Sequence, residues 1–122
     1  AELASASETA ESAGVQSIIL DPGFGFGKTV DENFALLGGI DCLRALGYPV
    51  LVGVSRKNSI GVAASGGSEP LPVDERLFGT LGATAVAVLR GASIVRTHDV
   101  RPTVEMLRTL ARAAGSSDPR DV

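Results

Sequence analysis

The chain has 122 residues, 44% hydrophobic and 20% charged, with a formal net charge of −3 at pH 7; that length holds one domain core. Its eleven Lys and Arg are scattered rather than clustered, and one Tyr with no Trp leaves little for base stacking, so no nucleic acid is expected. No apolar run reaches the ~20 residues that span a bilayer, a single Cys and a single His cannot build a protein-only zinc site, and a soluble cytoplasmic enzyme domain is the expectation.

Residues 3–13, rich in Ala, Ser and Glu and closed by Gly14, read as a helix already under way at the first residue. Ile18, Ile19 and Leu20 follow as a short buried parallel strand that ends at Asp21, where a side chain can reach a ligand. The strand runs into Pro22-Gly23-Phe24-Gly25-Phe26-Gly27-Lys28. Its glycines let the backbone turn tightly and approach a bound molecule, and its phenylalanines offer flat apolar surface. A tight strand-to-helix turn with a solvated Asp accounts for the same residues. Lys28 lacks the spacing of a phosphate loop and is left without a role.

Residues 31–46 place Phe34, Leu37, Ile40, Leu43 and Leu46 on one helix, opened by Asp31-Glu32 and closed by Gly47. Cys42 within it reads as a packed thiol. Residues 50–54 form a second strand that delivers Ser55-Arg56-Lys57. Residues 62–72, rich in Ala, Gly, Ser and Pro, read as a mobile surface loop ahead of Asp74-Glu75-Arg76. A helix over residues 77–89 is apolar nearly all round, consistent with burial on two sides or with packing in a barrel wall. Residues 93–95 form a third strand that delivers Arg96-Thr97-His98-Asp99. A last helix over residues 103–114 puts Val104, Leu107, Leu110, Ala111 and Ala114 on one side, and residues 116–122 are a C-terminal tail.

Strands alternating with helices, each strand ending in polar residues, describe a parallel α/β fold that binds its ligand beyond the carboxyl ends of the strands. Arg96 and His98 flank Thr97, so in an extended segment they point to one side. Other readings fit single residues: a solvated lysine at Lys57, a structural histidine at His98, a surface ion pair at Arg56. Asp99 either steadies His98 or Arg96 or caps the turn at Pro102. Three parallel strands alone leave two open sheet edges, so the chain is expected to be the carboxyl-terminal part of a larger protein.

The runs Leu20 to Lys28, Leu51 to Lys57 and Arg96 to Val100, in this order and spacing, resemble the last three strand-end motifs of the dihydropteroate synthase family, a pterin-binding family. The resemblance implies a (β/α)8 TIM barrel of ~250 residues, of which residues 1–122 are a partial domain: residues 1–14 end a preceding helix, and strands six to eight with their helices follow. It implies a transferase of folate biosynthesis, which joins 6-hydroxymethyl-7,8-dihydropterin diphosphate to p-aminobenzoate, releases pyrophosphate and is the target of sulfonamides. The isolated chain is expected to be inactive.

Within that likeness Asp21 accepts from the pterin's guanidine-like edge, and Lys57 donates to its carbonyl oxygen and ring nitrogen. Phe24 sits near the aromatic substrates, and Gly53 leaves room for the flat ring. Arg96 and His98, with Thr97 between them, take the diphosphate as charge grows on the leaving group. Ser55 and Arg56 line the p-aminobenzoate side. Lys57, Arg96 and His98 are the expected catalytic residues. Mg2+ is implied, with no ligand in this chain, as is a homodimer through the later helices. A non-catalytic pterin-binding paralogue and a pterin-dependent methyltransferase barrel are the alternatives. The chain departs from the pattern at Asn58-Ser59, where a bulky apolar residue is usual, and at Thr97, where Val is usual.

Overall fold

The structure, a computed structural model, describes residues 2–115, so the tail expected over residues 116–122 lies outside it. At its centre β1 (Leu51–Val52) pairs in parallel with β2 (Ile94–Val95), Leu51 opposite Ile94 and Val52 opposite Val95. On the far side of β1, Leu20 makes a single parallel bridge to Val50. Its N–H donates to the Pro49 carbonyl at 2.9 Å, and its carbonyl accepts from Leu51 N–H at 2.8 Å. The three parallel segments are therefore present, in the order Leu20, β1, β2. The first is shorter than the apolar run predicts: Leu20 is buried and Ile18 packs partly against the core, but Ile19 between them is 55% exposed and only Leu20 bridges to β1. Val50, Val52 and Val54 alternate into that core, as one face of a pleated strand must.

Helix α1 (Glu2–Ser12) is tied to the body by the Tyr48 hydroxyl, which donates to Glu11. Helix α2 (Val30–Gly38) opens one residue earlier than its acidic pair suggests, because Thr29 and Glu32 close a capping box. Thr29 Oγ1 accepts from Glu32 N–H at 3.1 Å, and Glu32 returns a carboxylate oxygen to Thr29 N–H at 2.9 Å. These bonds, the backbone one foremost, hold the Glu32 carboxyl below its usual range. The single helix expected over residues 31–46 instead breaks at Gly39, and α3 (Ile40–Arg44) restarts beyond it. Adjacent glycines are the weak point of a helix, since the backbone gains no side-chain packing and loses the most entropy there. The new register buries Ile40 completely and turns Cys42 outward, so the cysteine is exposed rather than packed.

Helix α4 (Asn58–Ser65) replaces the first part of the expected mobile loop and ends at Gly66. Ile60 and Gly61 bury its inner face. A 3-10 turn over Val73–Glu75 leads into α5 (Leu77–Leu89), which keeps its predicted bounds. Thr80, Ala83, Thr84, Ala87 and Val88 face the core at helical spacing, while Phe78 is 84% exposed with Val86 and Leu89 beside it in solvent. The helix is thus buried on one side only. Helix α6 (Val100–Ala113) starts three residues early, with Pro102 in its first turn, where a missing N–H costs nothing. Thr103 and Ala111 form its buried stripe, whereas Val104 and Ala114 face solvent. No described helix is long and apolar enough to cross a membrane.

Candidate functional site

Beyond β1 the chain turns through Ser55, Arg56 and Lys57, and Arg56 is the one non-glycine residue at positive φ (57°) among the described residues. Helix α5 and the turn before it clamp that strained peptide. Thr80 Oγ1 accepts the Arg56 N–H at 3.0 Å, and Arg76 Nη1 donates to the Arg56 carbonyl at 2.9 Å. The Arg56 guanidinium meets Asp99 through two bonds, Nη2 to Oδ1 at 2.7 Å and Nε to Oδ2 at 3.1 Å. That pairing holds the Asp99 carboxyl below its usual range and raises Arg56. Arg56, expected beside p-aminobenzoate, is therefore engaged within the protein. Asp99 takes neither of its expected bonds and steadies Arg56 instead, although it also occupies the N-cap position of α6.

Lys57 reaches back over the glycine-rich loop. Its ammonium donates to the Phe24 carbonyl and lies 4.6 Å from the centroid of the Phe26 ring. A side chain at Gly25 would push Lys57 off this path, since a Cβ there would stand 2.7 Å from Lys57 Cδ. Burial lowers the Lys57 pKa, Arg96 pushes the same way, Asp21 opposes both, and Lys28 adds a further lowering push. Lys28 pins the loop, its ammonium 3.2 Å from the Gly23 carbonyl and 3.1 Å from that of Phe26. Phe24 is a core residue, 1% exposed and edge-to-face with Phe34 at 5.8 Å. Its ring cannot meet a substrate as expected, because the turn points it inward; Phe26, 66% exposed, is the phenylalanine with an open face.

Asp21 accepts the Gly23 N–H at 2.8 Å through Oδ1 and lies 3.5 Å from Arg96 Nη1 through Oδ2. Arg96 itself lies across Gly53: a Cβ at Gly53 would stand 2.5 Å from Arg96 Nη2. Gly53 therefore makes room for the Arg96 guanidinium. On the next turn of chain, Ser55 Oγ lies 2.7 Å from His98 Nδ1, 3.0 Å from the His98 N–H and 3.3 Å from Thr97 Oγ1. Ser55 is buried and its hydroxyl is surrounded by these partners, so it does not stand free for p-aminobenzoate as expected. The extra hydroxyl of Thr97 is satisfied, accepting the Asp99 N–H at 3.1 Å.

Gly53, Ser55, Lys57, Arg96, Thr97 and His98 line one cavity of about 170 Å3 at the carboxyl ends of β1 and β2, and Asp21 joins it through Arg96. Two larger clefts, of about 340 and 470 Å3, are lined mainly by apolar side chains of α1 to α5 and lack such a convergence of cationic and imidazole groups. Two cations and an imidazole beside one carboxylate suit an anionic ligand that also carries N–H donors. Mg2+ asks for several oxygen ligands, and the described residues include no group of three or more His, Cys, Asp or Glu able to hold a metal ion. The described residues therefore make no metal site of their own.

Sequence reasoning passed over Asn33. It is 1% exposed; its Oδ1 accepts the Gly25 N–H at 2.8 Å and its Nδ2 donates to Ser59 Oγ at 2.8 Å. A lone amide four residues before Leu37, on the apolar stripe, was the available signal. Ser59, the departure noted in the sequence, is its partner, so two polar residues replace one apolar contact and hold the glycine loop against α4.

Residues 1–98 match the family of pterin binding enzymes. The dihydropteroate synthase of Clostridium beijerinckii is 45% identical over 94 residues, which are 75% of this chain and 33% of that protein. That of Haemophilus influenzae is 41% identical over 107 residues, 86% of this chain and 37% of the relative. The chain thus spans about a third of the length of these curated relatives. Among solved structures, the Thermus thermophilus dihydropteroate synthase in complex with 6HMPPP superposes with a TM-score of 0.83 at 43% identity, over 93% of this chain and 43% of that one. The Coxiella burnetii enzyme in complex with pteroic acid gives 0.83 at 42%, over 92% and 42%.

Proposed function

Since the chain belongs to the pterin binding enzyme family, we propose that it forms the pterin- and diphosphate-binding part of a dihydropteroate synthase. In this reading it supplies strands six to eight of a (β/α)8 barrel and their helices. The observation that carries it is the meeting of Lys57, Arg96 and His98, with Asp21, around one cavity at the carboxyl ends of the parallel strands.

The reaction is a displacement. The aromatic amine of p-aminobenzoate attacks the methylene carbon of the pterin, the carbon–oxygen bond to the diphosphate breaks, pyrophosphate departs with the electron pair, and the amine loses a proton. Asp21 has lone pairs left after Gly23 N–H and accepts from the pterin's amino group and ring N–H. Lys57 spends one proton on the Phe24 carbonyl and offers the others to the pterin carbonyl and ring nitrogen. Arg96 and His98 bind the diphosphate, and their bonds strengthen as negative charge gathers on its oxygens. Phe26 covers the aromatic ring, and Arg56 with Asp99 keeps the turn that presents Lys57. The exposed apolar side of α5, with Phe78 at its head, supports a homodimer.

Titration of the chain with the unphosphorylated pterin alcohol and with its diphosphate, followed by NMR, tests the assignment. Lys57→Ala should weaken both ligands, because it removes a donor to the ring. Arg96→Ala should leave the alcohol nearly unaffected and weaken the diphosphate by about tenfold or more, the value of one charge-assisted bond at ~1.5–3 kcal/mol. Equal loss of alcohol binding in both variants would sink the division of roles.

A further inference from the structure

We propose that Ser55 and Thr97 form a hydroxyl relay that holds the uncharged ring of His98 with its proton on Nε2, so that the histidine meets an anionic oxygen as a pre-oriented N–H donor. The use made of that donor rests on the function proposed above, whereas the relay itself does not.

A hydroxyl oxygen has one proton to give and two lone pairs to receive with. Ser55 Oγ has three neighbours at hydrogen-bonding distance. The backbone N–H of His98, at 3.0 Å, can only donate, and it occupies the first lone pair. Thr97 Oγ1, at 3.3 Å, is itself an acceptor for the Asp99 N–H and turns its proton to Ser55, filling the second. The Ser55 proton then has one place to go, the shortest contact of the three, His98 Nδ1 at 2.7 Å. Nδ1 is the acceptor in that bond, and an uncharged imidazole that accepts at Nδ1 carries its hydrogen at Nε2.

The opposite polarity would have Nδ1–H donate to Ser55 and Ser55 donate to Thr97. The Thr97 proton would then be left with Thr103 Oγ1 at 3.5 Å, a longer contact than the 3.3 Å to Ser55, and one in which the Thr103 hydroxyl is the better placed donor. Two backbone N–H groups, of His98 and Asp99, thus set the direction of the whole chain of hydroxyls. Ser55 and Thr103 are buried, 7% and 3% exposed, which leaves little access for water to reverse it. The relay depends on a hydroxyl at position 97, which a β-branched hydrocarbon side chain does not provide.

The chain contains a single histidine, so its imidazole nitrogen signals belong to His98 alone. Long-range proton–nitrogen NMR on the 15N-labelled chain, at a pH well above the ordinary imidazole range of ~6.5, reads the tautomer directly. The expected result is an acceptor-type signal for Nδ1 and an N–H-type signal for Nε2. Thr97→Val and Ser55→Ala should drift toward the mixed tautomers of free imidazole, and Thr97→Ser should restore the single form. An N–H-type Nδ1 in the unsubstituted chain overturns the proposal. An unchanged tautomer in a well-dispersed Ser55→Ala or Thr97→Val spectrum overturns it equally. Should a variant lose its dispersed spectrum, the unsubstituted chain still decides: scalar coupling of the Ser55 hydroxyl proton to Nδ1 supports the relay, and its absence overturns it. Adding inorganic pyrophosphate separates the two readings. A relay that stands while Nε2 ignores pyrophosphate counts against the proposed function alone.

Discussion

Lys57 shows how much of a residue's chemistry comes from its neighbours. Partial burial lowers its pKa and Arg96 reinforces the effect. Its ammonium should therefore deprotonate below the ~10.4 of an ordinary lysine, and the donor it offers a ligand is lost as pH rises through that depressed value. The sign for stability is the reverse of a favourable ion pair: the charged form is the penalised one, so this residue's contribution improves as pH passes upward from the folded value to the unfolded one. The chain has two lysines, so following their 13Cε signals against pH checks the shift; a Lys57 midpoint at or above the ordinary value contradicts it. Gly53→Ala tests the close approach of Arg96. The added methyl would stand 2.5 Å from Nη2, so the guanidinium must move, and pyrophosphate affinity should fall by about tenfold, comparable with losing one charge-assisted bond, with little change in thermal midpoint. Unchanged pyrophosphate binding in a folded Gly53→Ala chain would show that Arg96 does not need this seat. That the glycine serves an arginine lay beyond sequence reading, because spacing places both residues at strand ends and says nothing of which lies over which.

Among the elements, the strand ends were legible and the helix faces less so. Short apolar runs bounded by polar residues located Leu20, β1 and β2 and the motifs they deliver, since period and punctuation are local. The break at Gly39, the early start of α6 and helix α4 have no side-chain N-cap bond to announce them, and there the apolar count alone misled: it merged α2 with α3 and read residues 62–65 as loop. The polar contact between α2 and α4 gives a direct test. Asn33→Ala orphans the Gly25 N–H and the Ser59 hydroxyl, and should destabilise the chain by about 2–3 kcal/mol. Faster amide exchange at residues 23–27 should accompany the loss. Urea unfolding checks the first outcome and hydrogen exchange the second; a loss below about 0.5 kcal/mol, the range of ordinary surface substitutions, would show that water replaces the amide. The start of α6 carries a pH signature. Asp99 has a folded pKa below its usual value, so its pairing with Arg56 contributes above the unfolded carboxyl value of ~3.9 and is lost as pH falls through the folded one. Amide exchange at Asp99 and Thr103, the bonded amides at the start of α6, should rise in that acid window, and Asp99→Asn should abolish the pH dependence.

At the scale of the molecule, the fold class was legible and the enclosure of the site was not. Parallel α/β order follows from the alternation of elements, but a cavity of about 170 Å3 is small beside the ~300–1,000 Å3 of ordinary ligand pockets. The described residues form one wall, and its cations reach a ligand from one side. We expect the chain by itself to bind pyrophosphate or pterin diphosphate only in the millimolar range, about −4 kcal/mol, and to release no pyrophosphate when p-aminobenzoate is added. A coupled pyrophosphate assay reads this, and measurable turnover by the 122-residue chain would show that the wall suffices.

Arg56 joins two requirements that a single substitution cannot satisfy together. Glycine at that position would relieve the left-handed backbone, worth ~1–2 kcal/mol, and would discard the fork that grips Asp99. Asn would ease the strain as well but has no guanidinium fork, and a bulky apolar side chain would keep the strain and forfeit the grip. The backbone clamp comes from Thr80 and Arg76, neither of which lines the cavity. An engineer who repacks α5 for thermostability would therefore be moving Lys57 without touching any residue of the cavity.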